Sequence, residues 1–118
     1  MVYSASQPLE KSLEKYMDVL AARQKLVASN IANVDTPGYR TKDLDFQAEF
    51  NSLLTGAATT PTLQEVKGLR LKNDGNDVSL DRETRLLAEN SIRFSVATNL
   101  MKTQDRIMKS AIHEGQGA

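Results

Sequence analysis

Cysteine is absent from this 118-residue sequence, and so is tryptophan. Without cysteine there is no disulfide framework and no thiolate chemistry. A cysteine-free chain suits either redox environment, so that absence leaves the compartment open. Histidine occurs once, as His113. One histidine and no cysteine argue strongly against a zinc site. Aromatic residues make up only 5%, thin material for a compact globular core but ordinary for a chain of long helices. An excess of one charge is also missing: 15 basic residues face 15 acidic ones. With no global field to hold a polyanion, neither nucleic acid nor an anionic membrane surface is an expected partner. No run approaches the roughly 20 apolar residues that cross a bilayer. Met1 to Ser12 has neither a basic n-region nor an apolar h-region, so no cleaved signal peptide is expected.

The chemistry of sites is equally sparse. There is no glycine-rich phosphate loop and no nucleophile elbow. Asn73 to Asp77 has the flavour of a calcium loop. Aligning Gly75 with that loop's obligatory glycine puts Arg70 at the first ligand and Lys72 at the third, which excludes it. Asp43 and Asp45, beside Arg40 and Lys42, read as a solvated polar face rather than paired catalytic carboxylates. Arg23, Lys25, Arg40 and Lys42 gather near one turn but lack the interleaved aromatics of a nucleic-acid surface. The expectation is a non-enzyme with no catalytic residue, no cofactor and no metal.

What the sequence does have is period. Leu13, Met17, Leu20, Val27 and Ile31 repeat on a heptad seam, with Gln24 in the missing place, and predict a helix over 8–33. At about 1.5 Å per residue it spans roughly 39 Å. Ser6 would cap it, with Pro8 near the first turn. Pro37 biases Thr36 away from the helical region, so the helix stops near Asn33–Asp35. Thr36-Pro37-Gly38-Tyr39 carries proline second and glycine third, as a type II turn requires. The segment from Arg40 to Phe50 alternates and fits a short strand or extended arm, or a short helix around 45–54. Asn51 to Thr62 reads as a flexible loop. Asp74-Gly75 favours the turn of a small local β-hairpin. Ser79 is the N-cap of a second helix ending near His113, with Gly115 closing it. Leu87, Phe94, Met101 and Met108 recur along it every seven residues.

These elements predict an all-α chain in one domain over 1–118. It comprises an N-terminal helix (8–33), a turn, arm and loop (34–78), and a C-terminal helix (79–113). The two long helices pack as an antiparallel coiled-coil hairpin around an irregular middle that holds at most a small β-hairpin. Their apolar stripes are wider than one partner helix can cover. The free chain is therefore expected to be partly disordered and to order fully only in an assembly. Two function classes fit this shape: an axial structural protein, which forms higher-order assemblies, and a soluble helical-hairpin adaptor binding a partner helix, which stays small.

The run Ala28-Ser29-Asn30-Ile31-Ala32-Asn33-Val34-Asp35-Thr36-Pro37-Gly38-Tyr39-Arg40 resembles the N-terminal signature of bacterial flagellar rod, hook and filament-junction proteins. The continuation Thr41-Lys42-Asp43-Leu44-Asp45-Phe46 is similar to the proximal-rod branch of that family. Gly75-Asn76-Asp77-Val78-Ser79-Leu80-Asp81-Arg82-Glu83 and Ala88-Glu89-Asn90 resemble its entry into the C-terminal helix. The variable middle, 51–72, carries no match.

The resemblance implies a structural subunit of the proximal rod, the drive shaft of the flagellar basal body, transmitting torque through helix–helix contacts. It implies partners: further copies in an axial helical homo-oligomer, other rod proteins of the FlgC-like kind, a FliE-type adaptor at the export gate, and the flagellar type III export apparatus. It implies a periplasmic rod location reached without a cleaved signal. It also marks Asn30, Asn33, Thr36, Pro37 and Tyr39 as joint residues, beside Gly38, which turn geometry singles out independently. The short middle implies little or no outer domain.

Overall fold

The computed structural model describes residues 2–55 and 62–116. Helix α1 spans Val2–Ala32, strand β1 Lys42–Leu44, helix α2 Phe46–Thr55, strand β2 Leu63–Glu65 and helix α3 Leu80–Gln116. The chain is mostly helical and drawn out, measuring 71 × 25 × 16 Å. Its radius of gyration is 18.9 Å, against about 13–14 Å for a compact domain of this length.

Helix α1 starts before the expected cap. It runs through Ser6 and Pro8 from Val2, so Ser6 is an interior residue and not the N-cap. Its end near Ala32 is where the sequence places it. Asn33 N–H still reaches the Ser29 and Asn30 carbonyls at 3.1 and 3.2 Å before the chain turns away. Helix α3 starts as expected: the Ser79 hydroxyl accepts the Arg82 N–H at 3.3 Å and the Ser79 carbonyl accepts the Glu83 N–H at 3.0 Å. Asp81 and Glu83 add negative charge to its first turn, favourable against the helix dipole. Gly115 does not end it, since the helix continues to Gln116.

The middle contains both alternatives that Arg40 to Phe50 left open. β1 occupies its first part, and α2 follows with Asp45 as N-cap, its carboxylate accepting the Ala48 N–H at 3.1 Å. The expected loop over Asn51 to Thr62 is partly displaced, because residues 51–55 complete α2; its remainder, 56–61, lies outside the described residues. The expected local hairpin around Asp74-Gly75 does not form as a sheet. β1 instead pairs antiparallel with β2, with Lys42 opposite Glu65 and Leu44 opposite Leu63. The Asp74-Gly75 turn itself is tight: Gly75 N–H donates to Lys72 O at 3.0 Å, and Lys72 N–H to Asn76 O at 2.8 Å. Beyond that Lys72–Asn76 bond its flanks pair with the first turn and the end of α1, through Gly38 to Asp74, Asp77 to Tyr39 and Asn76 to Asn33, and no ladder grows from it.

α1 and α3 make the main tertiary interface. Its partners descend α1 as they ascend α3. Asn76 meets Asn33, Asn90 meets Leu20 and Gln24, and Arg93 meets Tyr16. The apolar core is small: Val19, Leu20 and Val27 from α1, Leu86 and Ala97 from α3, with Leu44 and Val78 from the segment between. Helix α2 lies against α1 through Tyr16, whose ring meets Phe46 and Phe50 edge-on at 6.4 and 6.5 Å.

Candidate functional site

Where the end of α1 meets the chain before α3, a polar joint forms around two asparagines and an aspartate. Asn30, on the last turn of α1, is only 1% exposed. Its side-chain amide pairs with the backbone of Lys42 as another peptide would: Nδ2 donates to Lys42 O at 2.8 Å and Oδ1 accepts Lys42 N–H at 3.2 Å. The same Oδ1 accepts the Tyr39 hydroxyl at 2.9 Å. One side chain thus binds the free edge of β1 to the helix, and tyrosine holds it in place.

The turn between them has the expected geometry. Gly38 has φ 77°, and Tyr39 N–H donates to Thr36 O at 3.2 Å. Asn33 Nδ2 donates to Ser29 O at 2.8 Å, and its Oδ1 accepts the Thr36 hydroxyl at 3.0 Å. A helix end leaves carbonyls without partners. Asn76, wholly buried, supplies a partner from 43 residues away: its Nδ2 donates to Asn33 O and to Thr36 O, both at 2.8 Å, while its Oδ1 accepts the Val78 N–H at 2.8 Å. Lys72 Nζ adds a bond to Val34 O at 3.2 Å, a cation at the negative end of the helix dipole. The second turn stacks on the first. Gly38 N–H donates to Asp74 O at 2.9 Å, and Gly75 has φ 84°; a Cβ placed on it would stand 3.4 Å from the Gly38 Cα.

Asp77 closes the joint. Its Oδ1 accepts both the N–H and the hydroxyl of Thr41, at 2.6 and 2.8 Å, and its Oδ2 accepts Arg40 Nε at 3.1 Å. Burial alone would raise its pKa. The Thr41 and Arg40 donors outweigh that cost and hold the carboxyl below its ordinary value.

A second cluster, of four charges, ties α1, β1 and α3 together. Arg23 grips Asp43 with both Nε and Nη2, at 3.2 and 2.9 Å; Arg82 Nη2 reaches the same carboxylate at 2.6 Å and its Nη1 reaches Glu83 at 2.7 Å. The four side chains are between 0 and 17% exposed, so two cations and two anions are buried as a neutral set. Phe46 sits between two guanidiniums, with Arg23 4.8 Å and Arg93 5.4 Å from its ring centre. This corrects the reading of Asp43 as a solvated face. It also shows that Arg23 and Arg40, two of the basic residues that gather near the turn, are held by carboxylates of the same chain.

The seam residues fall in three groups. Leu20 and Val27 are buried; Leu13, Met17, Ile31, Leu87, Met101 and Met108 are half-buried; Phe94 is 40% exposed. On α3 the deepest positions are instead Glu83, Leu86, Asn90 and Ala97. Glu83, Asn90 and Ala97 also stand seven apart, so a mostly polar stripe runs beside the apolar one. That spacing is present in the sequence, but with two polar members out of three it gives no hydrophobic period. The joint motif Asn30, Asn33, Thr36, Gly38 and Tyr39 is brought together. Pro37 is exposed and takes part through the turn backbone. The partners Asn76, Asp77 and Thr41 were missed, because nothing local says that a turn cluster near residue 75 closes on a helix end near residue 33.

Comparison with known proteins locates this joint in a family pattern. Residues 17–40, the lower half of α1 and the turn, match the profile of the flagella basal body rod protein family. The chain is 34% identical to the flagellar basal body rod protein FlgB of Borrelia hermsii, over 73% of this chain and 82% of that relative. It is 30% identical to FlgB of Salmonella typhimurium and 28% identical to FlgB of Escherichia coli K12, in each case over 86% of this chain and 91% of the relative. The alignment with the E. coli protein spans 126 positions, more than this chain has residues. That relative therefore carries, within the matched region, residues absent here.

Proposed function

This chain belongs to the FlgB family of flagellar basal body rod proteins, and on that premise we propose that it is a structural subunit of the proximal rod, carrying torque through helix–helix packing in an axial assembly. Membership makes it a structural protein and not an enzyme. The observation that carries the reading is the coincidence of the family's matched stretch, residues 17–40, with the helix end and turn around which the fold is tied. A shaft loaded in torsion needs long helices that cannot slide. The joint at Asn30, Asn76 and Asp77 and the charge cluster at Asp43 supply that fixity at one end of the α1–α3 pair.

In this reading α1 and α3 form an antiparallel coiled-coil hairpin over a single domain. The seam of Leu13, Met17, Leu20, Val27 and Ile31 faces that of Leu87, Phe94, Met101 and Met108. The neighbours are further copies, FlgC-like rod proteins and a FliE-type adaptor. The chain reaches the periplasmic rod through the type III export apparatus without a cleaved signal. A marginal core favours such a route, since a chain with few buried apolar residues is readily kept unfolded in transit and ordered by its neighbours. Imaging basal bodies from cells lacking the chain tests the function. Membrane rings without a rod are expected; a normal rod would overturn it.

A further inference from the structure

The apolar surface of helix α3 extends beyond the stripe that α1 covers, whose buried members are Leu86 and Ala97. Ile92, Val96, Leu100 and Ile107 are 65, 53, 51 and 51% exposed. At about 100° per residue they fall within an arc of roughly 80°, making a ridge on the side of α3 away from Phe94 and Ser91. Phe94 and Ser91 border a different feature. Together with Leu20, Ala21 and Lys25 they line an open cleft of about 510 Å³ between α1 and α3. That cleft opens on the flank that α2 does not cover: Tyr16 and Arg93 make the α2 contacts, while Ala21 and Lys25 lie round the helix from them.

A helix whose apolar surface is wider than one partner covers reaches its stable state only with a second partner. We infer that a second copy of this chain supplies the missing one: the Ile92–Val96–Leu100–Ile107 ridge of one copy seats in the α1–α3 cleft of the next. The inference rests on the axial-assembly reading above and specifies its contact. Three observations select a second copy as the occupant. The cleft is continuous with the α1–α3 interface, since Leu20 and Asn90 belong to both. Ridge and cleft lie on opposite sides of one helix, so each copy offers a donor and an acceptor surface at once. The charges beside them are opposite: Lys25 on the rim and Glu89, one turn before Ile92, have no ion-pair partner among the described residues. A contact between different faces does not close on itself as a twofold dimer, and it propagates into a ring or helix.

The cysteine-free background gives a direct test. The full-length variants Ala21→Cys, Val96→Cys and the double variant are expressed in cells lacking the native chain, and isolated basal bodies are oxidised. The double variant is expected to give a ladder of cross-linked multimers, and neither single variant any. Dimers from Val96→Cys alone would mean ridge meets ridge, and would overturn the contact. So would a double variant that enters the rod and gives no ladder, because the ridge is then covered by another chain. Rods that lack this chain altogether would instead overturn the function. As a second measurement, Leu100→Glu should keep the helicity of the dilute native chain but lose the concentration-dependent association of the purified chain and the gain in helicity that goes with it; unchanged association would sink the proposal.

Discussion

At the scale of single residues, the joint depends on side chains that stand in for backbone. Asn76 is the clearest case, since it bonds two carbonyls and one N–H. Asn76→Ala leaves the Val78 N–H buried without that partner and should cost about 2–3 kcal/mol; chemical denaturation would measure it, and a loss under about 0.5 kcal/mol would show that water replaces the amide. Asp77 makes stability depend on pH. Its carboxyl is lowered in the folded chain, so its contribution is fully present above the unfolded value, near 4, and is lost as pH falls through the lower folded value. Asp77→Asn should be less stable at neutral pH and lose less stability than the native chain as pH drops below about 4. Parallel curves for the two proteins would contradict the assignment. Gly38 holds φ 77° with open space where a Cβ would go. Only conformational strain therefore opposes a side chain there, and Gly38→Val should cost on the order of 1–2 kcal/mol and impair rod assembly. Normal motility in that variant would argue against a role for the turn.

At the scale of elements, α1 and β1 are joined by charge as much as by apolar contact. Removing Asp43 leaves two nearly buried guanidiniums without it, and breaking a buried pair from one side costs about 3–5 kcal/mol. Asp43→Ala should therefore free the arm 40–45 first, seen as faster amide exchange in β1 than in the middle of α1. Leu20 is fully buried in the seam. Leu20→Asp would place a carboxylate there, so the α1–α3 pair should fail to form and the protein should not enter the rod, though it is still expressed. Both helices were legible from period alone, because amphipathic spacing is local information. The β1–β2 pair was not: Leu44 and Leu63 are 19 positions apart, and a three-residue strand has too little pattern to name its partner. The start of α1 was misplaced because Ser6 and Pro8 form a good local cap signal that the helix overrides by beginning at Val2.

At the scale of the whole molecule, the drawn-out shape and small core go together. A body 71 Å long and 16 Å thin has much surface for its volume, and among the described residues a dozen large apolar side chains of α1, α2, β2, α3 and the loop before it remain at least 40% exposed. The dilute chain should accordingly show a shallow thermal transition, and its helicity should rise with concentration as copies cover one another. A sharp, concentration-independent melt would mean that the monomer is self-sufficient.

The sequence by itself determined the two long helices, the stop at Asn33, the turn at Gly38 and the cap at Ser79. Each of these is written in residues close together along the chain. Only the tertiary structure decided that Asn76 caps a helix end 43 residues earlier, that Asp77 and Asp43 are buried hubs and not surface charges, and that α3 has apolar surface that α1 leaves uncovered. The physical reason is the same in every case. Asparagine, aspartate and arginine look alike on a surface and in a buried network, and their role is set by which donors and acceptors the distant chain brings within about 3 Å.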